Sequence, residues 1–276
     1  MSRNGKILLA ILGIIVLVLG GAFVYIYSTA GVDSPLSVVM SSSMQHEKNT
    51  SHLGVIDTGD VMVIKNPDKM DIYSYVEGTY TGFKSFGDYG SVIIYHRGDD
   101  VNPVIHRAIV WINYNGNGTW SIPTLKDYNG LWSCTSGTNY NQLSGTLTFT
   151  EITQSQKTVS INLDSFAEKD RVSGYLTMGD NPETNRYFDQ ATGIISHPIQ
   201  KEQIKAVAAY EIPWMGIVKV YMTENKKSNL SFVKNSIYSI AMLFILIFAV
   251  IYCCDFYHSY KTIKKKRNEI LKILED

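Results

Sequence analysis

The chain has 276 residues, 45% of them apolar, and its 25 basic and 25 acidic side chains leave no formal net charge. This length suffices for one sizeable folded domain together with membrane segments. The balanced charge argues against nucleic acid as the main partner, because such binding needs concentrated positive charge.

An almost unbroken apolar run, residues 7–27, lies near the amino terminus. As a helix it would be about 31 Å long, which matches a hydrocarbon core of about 30 Å. The basic residues Arg3 and Lys6 before it and the small residues 28–30 after it also fit a cleaved secretory signal. Because the apolar core of such a signal is normally ~7–15 residues, we favour an uncleaved anchor over residues 1–28.

The segment 29–235 contains short apolar runs bounded by turn-forming residues, which predict a mostly β domain. Val159, Ile161 and Leu163 alternate with polar residues, as in a half-buried strand. The predicted strands are 36–40, 61–64, 91–95, 104–112, 145–152, 158–163, 175–178 and 217–222. One helix is predicted from 198 to about 209, where apolar residues recur at helical spacing.

Residues 113–172 are predicted to be a β-rich insertion in this domain. Glycine-containing turn formers punctuate the segment at 116–118, 129–130 and 136–137, and they favour hairpins. A mobile loop rich in glycine and asparagine is the alternative.

A second apolar run, 237–254, is followed by a strongly basic segment. We therefore predict a second span over 236–255 and a basic cytoplasmic tail over 256–276. By the positive-inside rule both ends are cytoplasmic and the β domain is extracytoplasmic, in a multi-pass protein of the cell membrane, or of the endoplasmic-reticulum membrane in a eukaryote. The basic tail alternatively serves only to bind anionic lipid.

Four short motifs follow the first apolar run in a fixed order. They are the segment 35–44, which reads PLSVVMSSSM, then Gly-Asp-Val-Met-Val at 59–63, Val-Ile-His-Arg at 104–107 and Gly-Asp-Asn at 179–181. In this order the motifs resemble those of type I signal peptidases of the archaeal and endoplasmic-reticulum kind, which use serine with histidine. The resemblance implies a signal-peptidase-like β catalytic domain, here with an insertion and two terminal membrane helices.

The resemblance also implies roles for individual residues. Ser43 matches the nucleophile, and His106 matches the general base that removes the serine proton. Asp180 matches the first aspartate of the third block, and Asp189 is the candidate for the second, at a longer spacing than usual. One of the two would orient the imidazole, and the sequence leaves both open. Ser41 is the expected oxyanion helper.

Substrate would pair with the edge of the strand before Ser43, with Leu36, Val38 and Val39 as candidate substrate-binding residues. Val38 and Val39 are alternatively core residues. The family implies small substrate residues at the positions one and three before the cut. The chain departs from the family at Ser42, where glycine is usual.

The predicted function is that of a membrane-bound serine endopeptidase that removes signal peptides from secreted precursors. Its expected partners are those precursors, membrane lipid and, as a further expectation, the secretion channel. No metal or other cofactor is expected, because phosphate-binding glycine loops, paired Cys-x-x-Cys and His-Glu-x-x-His are absent from the sequence. The alternative is a catalytically inactive, membrane-anchored β domain that binds extracellular partners.

Overall fold

The computed structural model describes residues 3–98, 101–222 and 226–275. Antiparallel sheets form most of the region between the terminal helices. The strands are β1 Leu36–Val38, β2 Val61–Lys65, β3 Lys84–Ser85, β4 Asp88–Tyr89, β5 Val92–Tyr95, β6 Val104–Tyr114, β7 Trp120–Ser121, β8 Trp132–Cys134, β9 Thr146–Ile152, β10 Lys157–Asn162, β11 Gly174–Met178 and β12 Ile204–Ile212. The helices are α1 Arg3–Ala30, α2 Tyr75–Thr81, α3 Asp189–Thr192, α4 Ile217–Met222 and α5 Lys226–Glu275.

The chain divides into two units, one of residues 26–236 and one of residues 1–25 with 237–276. In the second unit, α1 and α5 are long and apolar enough to cross a membrane, within Gly13–Ala30 and Ser236–Asn268. Many of their large apolar side chains are exposed, so protein packing does not bury them. This pattern suits helices that face lipid.

The main sheet has the order β1-β2-β12-β5-β6-β11, and β7 pairs with the far end of β6. β1 is therefore an edge strand that pairs only with β2 among the described strands. The centre of the sheet is buried, as shown by β5, in which all four residues are buried. The long strand β6 runs between β5 and β11 and joins the two halves of the sheet.

The 113–172 segment forms β7 and a separate three-stranded sheet of order β10-β9-β8. Its apolar face packs on the main sheet, in one core cluster that includes Val110 of β6, Trp120, Phe149 and Leu176 of β11. The same cluster contains Phe188, the residue before α3. The 113–172 segment thus shares a hydrophobic core with the strands that carry the motifs.

Two of the predicted elements are wrong. The predicted helix at 198–209 is a short 3-10 turn followed by β12, which pairs with β2 on one side and β5 on the other. Residues 206–208 are buried in the centre of the sheet, so strand pairing overrides the local helical spacing. The predicted strand 217–222 is the helix α4, in which the buried residues Ile217 and Val220 stand three positions apart on one face.

Candidate active site

The structure brings His106 and Asp189 together as a buried pair. The carboxylate oxygens of Asp189 lie 2.9 and 2.8 Å from His106 Nδ1. The side chains are only 4% and 1% exposed. Because a carboxylate only accepts hydrogen bonds, Nδ1 carries the proton and Nε2 of the neutral ring is left as a base.

Two hydroxyls that the sequence analysis did not select complete the surroundings of Asp189. Tyr95 at the end of β5 donates to Oδ2 at 2.7 Å, and Thr177 of β11 donates to the same atom at 2.6 Å. Burial and the charge of Asp189 raise the pKa of Tyr95, so the phenol remains a donor. These bonds hold the carboxylate in one orientation, and no local sequence signal marks either hydroxyl.

Asp180 has a different partner. Side chains alternate along β6, so Arg107 lies on the opposite face from His106, where Nε and Nη2 bind the two oxygens of Asp180 at 2.9 and 2.5 Å. Burial opposes ionisation, yet the Arg107 charge and hydrogen bonds, together with His46, lower the pKa of Asp180 to about 2. Arg107 also donates to the carbonyls of Tyr89 and Gly90 at 3.0 Å each. The pair of Arg107 and Asp180 therefore links separate segments of the fold.

The loop of residues 41–45, here called the nucleophile loop after the role that the resemblance implies for Ser43, is fastened to the turn that follows β11. The Asn181 amide donates to the Ser43 carbonyl at 2.9 Å, and its side chain donates to the Ser42 carbonyl at 2.7 Å. Gly179 lies so close that an added Cβ would sit 2.5 Å from the Ser43 oxygen. Met178 of β11 pairs with Arg107 of β6, so the next residue, Gly179, lies near the end of β6 that carries His106. The Ser43 carbonyl, which Gly179 contacts, is therefore also near that end.

The Ser41 and Ser43 hydroxyl oxygens are 3.4 Å apart. Among the described residues, no hydrogen bond joins Ser43 to the His106 ring. The His106 side chain is only 4% exposed, and among the described residues no hydrogen-bond partner is found for its Nε2. The structure therefore pairs His106 with Asp189, and it fastens the loop that bears Ser41 and Ser43 to the 179–181 turn, in which Asp180 binds Arg107.

The candidate substrate-binding residues differ in exposure. Leu36 and Val38 are partly buried on the edge strand β1. Val39 is 3% exposed and belongs to a core cluster with Met44 and Met62, so it is a core residue. At the start of β1 a cavity of about 460 Å³ is lined by Leu36, Ser37, Ile64 and Ile94, among others, and neither Ser43 nor His106 lines it.

Three carboxyl groups, those of Asp57, Asp60 and Glu211, lie close together between the segment before β2 and the end of β12. Asp60 accepts hydrogen bonds from the Trp214 and Asp57 amides at 2.8 Å each. Burial, opposed by these amides and aided by the charges of Asp57 and Glu211, raises the pKa of Asp60 to about 7. Among the described residues, no group of histidine, cysteine, aspartate or glutamate side chains has an arrangement able to hold a metal ion.

Comparison of the chain with protein-family models, with curated proteins and with solved structures gives no match. The resemblance to type I signal peptidases therefore rests on the four motifs and their order.

Proposed function

We propose that this chain is a membrane-anchored serine endopeptidase of the type I signal peptidase kind, with Ser43 as nucleophile and His106 as general base. The observation that carries the proposal is the buried hydrogen bond between His106 and Asp189, beside the loop that bears Ser43. A third group that orients the base is the arrangement expected of a serine hydrolase. An inactive binding module would not need a buried carboxylate that orients one nitrogen of an imidazole.

In the proposed reaction, Ser43 Oγ attacks the scissile carbonyl while His106 Nε2 takes its proton. The imidazolium is stabilised by Asp189 and then donates its proton to the leaving amine as the scissile C–N bond breaks, which leaves the acyl group bonded to Ser43 Oγ as an acyl-enzyme. Water, activated by the same ring, hydrolyses the acyl-enzyme. The missing bond between Ser43 and His106 agrees with such a cycle, since catalytic hydrogen bonds often tighten only with substrate present.

The oxyanion needs donors that point at the developing charge. We assign this role to the Ser43 amide with the Ser41 hydroxyl, which lies 3.4 Å from Ser43 Oγ. The nucleophile loop is held by Asn181 through two carbonyls, so its amides are fixed before substrate arrives. Preorganisation of this kind is usually the largest electrostatic contribution to catalysis.

Substrate would be an extended segment that adds to the free edge of β1 by main-chain hydrogen bonds. Leu36 and Val38 then lie beside alternate substrate side chains, and Leu36 also lines the cavity at the start of β1. The positive-inside rule places the β domain outside the membrane and both ends in the cytoplasm. Secreted precursors with small residues before the cut, presented by the membrane or the secretion channel, are the proposed substrates.

The decisive experiment compares Ser43→Ala with the wild-type chain, both full length, in liposomes that contain a precursor with alanine one and three residues before the cut. Wild type should release a mature product whose new amino terminus follows the small residue. Ser43→Ala should reduce the rate at least about a thousandfold, because no other group can form the acyl-enzyme. Product is measured by gel and by mass spectrometry.

Ser42→Ala is the matched control, since it removes a neighbouring hydroxyl and keeps the carbonyl that Asn181 binds. It should cleave at a rate within about threefold of wild type, as expected for a side chain outside the reaction. Cleavage by Ser43→Ala at the wild-type rate would refute the nucleophile. A wild-type chain that cleaves no precursor would favour the binding module.

A further inference from the structure

The inserted segment reaches the candidate active site through the tip of its β9–β10 hairpin, residues 153–157. The Gln154 amide donates to Asp88 Oδ2 at 2.9 Å, and the Gln154 side chain donates to the Gly87 carbonyl. Asp88 belongs to the turn whose carbonyls accept from Arg107. One side of the hairpin tip is therefore attached to the Arg107 support.

The other side of the tip is attached to the turn that holds the nucleophile loop. Lys157 Nζ donates to the Asn185 carbonyl at 2.9 Å and to the Asn181 carbonyl at 3.3 Å. Asn181 in turn binds the carbonyls of Ser42 and Ser43. A continuous chain of hydrogen bonds thus leads from the insertion to the nucleophile.

The backbone at and beside the tip has an unusual conformation. Glu151, Thr153 and Gln156 have φ values of 57°, 61° and 47°, in the left-handed region that residues other than glycine rarely adopt. Such residues persist where the surroundings hold them. Thr153 is 4% exposed, so the first residue of the tip is packed against the domain, whereas residues 154–156 are exposed.

The insertion also supports the other half of the site. Phe149 of β9 packs edge-on against Phe188, with ring centroids 6.0 Å apart. Phe188 directly precedes Asp189 and is fully buried. The same inserted sheet therefore contacts the segment that carries the histidine partner and the turn that carries the serine loop.

We infer that the inserted sheet is a brace for the catalytic groups, and that Lys157 is a positioning residue that holds the 181–185 turn and, through Asn181, the nucleophile loop. This inference rests on the proposed function. The ammonium group is suited to the task because a charged donor forms stronger hydrogen bonds to carbonyls than a neutral one. Burial lowers the pKa of Lys157, with Arg186 adding to the effect and Asp180 opposing it.

The test compares Lys157→Met, Lys157→Arg and the control Lys169→Met, an exposed position in the same insertion. Lys157→Met should lower kcat about 10- to 100-fold with KM within about twofold, because a small displacement of the nucleophile slows the chemical step more than binding. Lys157→Arg keeps the charge and should recover most of the loss. Lys169→Met should match wild type.

Hydrogen–deuterium exchange of a peptide covering 179–186 gives a readout that does not need turnover. Lys157→Met should speed exchange there about tenfold and leave β5 unchanged, and Gln154→Ala should do the same in part if Lys157→Met does not fold. Unchanged kcat or unchanged exchange in a wild-type background that cleaves would overturn the brace and leave the proposed function standing. A wild-type chain without cleavage would overturn both.

Discussion

At the residue scale, the structure separates two aspartates that the sequence could not rank. Asp189 contacts the histidine, and Asp180 contacts the neighbouring arginine on the other face of β6. A buried arginine without its carboxylate is strongly destabilising, typically by about 3–5 kcal/mol. Loss of the Asp180 carboxylate should therefore lower the free energy of unfolding, whereas loss of the Asp189 carboxylate should lower the rate of the proposed cleavage.

Asp189→Asn should lower kcat by about 10³- to 10⁴-fold with the fold retained, because an amide cannot hold His106 in the required tautomer or stabilise its cation. Steady-state cleavage and circular dichroism together measure this. Asp170→Asn is the matched control, since Asp170 lies 3.9 Å from His197 in a more exposed pair away from the site. A kcat for Asp189→Asn within tenfold of wild type would count against the proposed triad.

At the element scale, the turn after β11 sets the position of the nucleophile loop. Gly179 faces the Ser43 carbonyl and the Asn185 side chain, and an added Cβ would lie 2.5 and 2.6 Å from them. Real side chains do not approach so closely, so one of the two neighbours must move. Glycine is required here by space and not by an unusual backbone angle.

Gly179→Ala should therefore reduce kcat about 100-fold, the effect expected when a reacting group is displaced by about 1 Å. Cleavage kinetics of the purified variant measure the loss. Gly20→Ala is the control, because an added Cβ at Gly20 meets nothing within 4 Å. Equal rates for Gly179→Ala and wild type would show that the turn does not position the serine.

At the scale of the whole molecule, the carboxyl cluster of Asp57, Asp60 and Glu211 makes stability depend on pH. The folded pKa of Asp60 is about 7, above the value of about 3.9 in an unfolded chain. Between these values the folded state binds more protons than the unfolded state. The contribution of Asp60 to the free energy of unfolding is therefore greatest below about pH 4, and it is lost as the pH rises through about 7. Asp57 and Glu211, whose pKa values burial also raises, act in the same direction.

Glu211→Gln removes one of these charges and should raise stability at pH 8 by about 1 kcal/mol, or about 2–4 °C in Tm for a unit of this size. Thermal melts followed by tryptophan fluorescence from pH 5 to pH 8 should show a shallower decline than wild type. Glu202→Gln, an exposed glutamate, is the control and should leave the curve unchanged. A steeper decline in Glu211→Gln would contradict the assignment.

Local patterns in the sequence were enough to predict the two apolar helices and seven of the eight proposed strands, with small shifts at their ends. Apolar run length and period-two alternation are properties of neighbouring residues, so they are visible without a fold. The same patterns misassigned β12 and α4. The pairing of β12 with β2 and with β5, and the packing of Ile217 and Val220 in α4, depend on distant parts of the chain.

The sequence by itself determined which chemical groups the site could use: the serines of the nucleophile loop, His106 and two aspartates. Only the tertiary structure decided that Asp189, 83 positions away, is the partner of His106, and that Tyr95 and Thr177 hold it. It also decided that the 113–172 segment contacts Phe188, which precedes Asp189, and the turn that holds the loop of Ser43. The physical reason is that hydrogen bonds between distant segments depend on strand register and core packing, which no short stretch of sequence encodes.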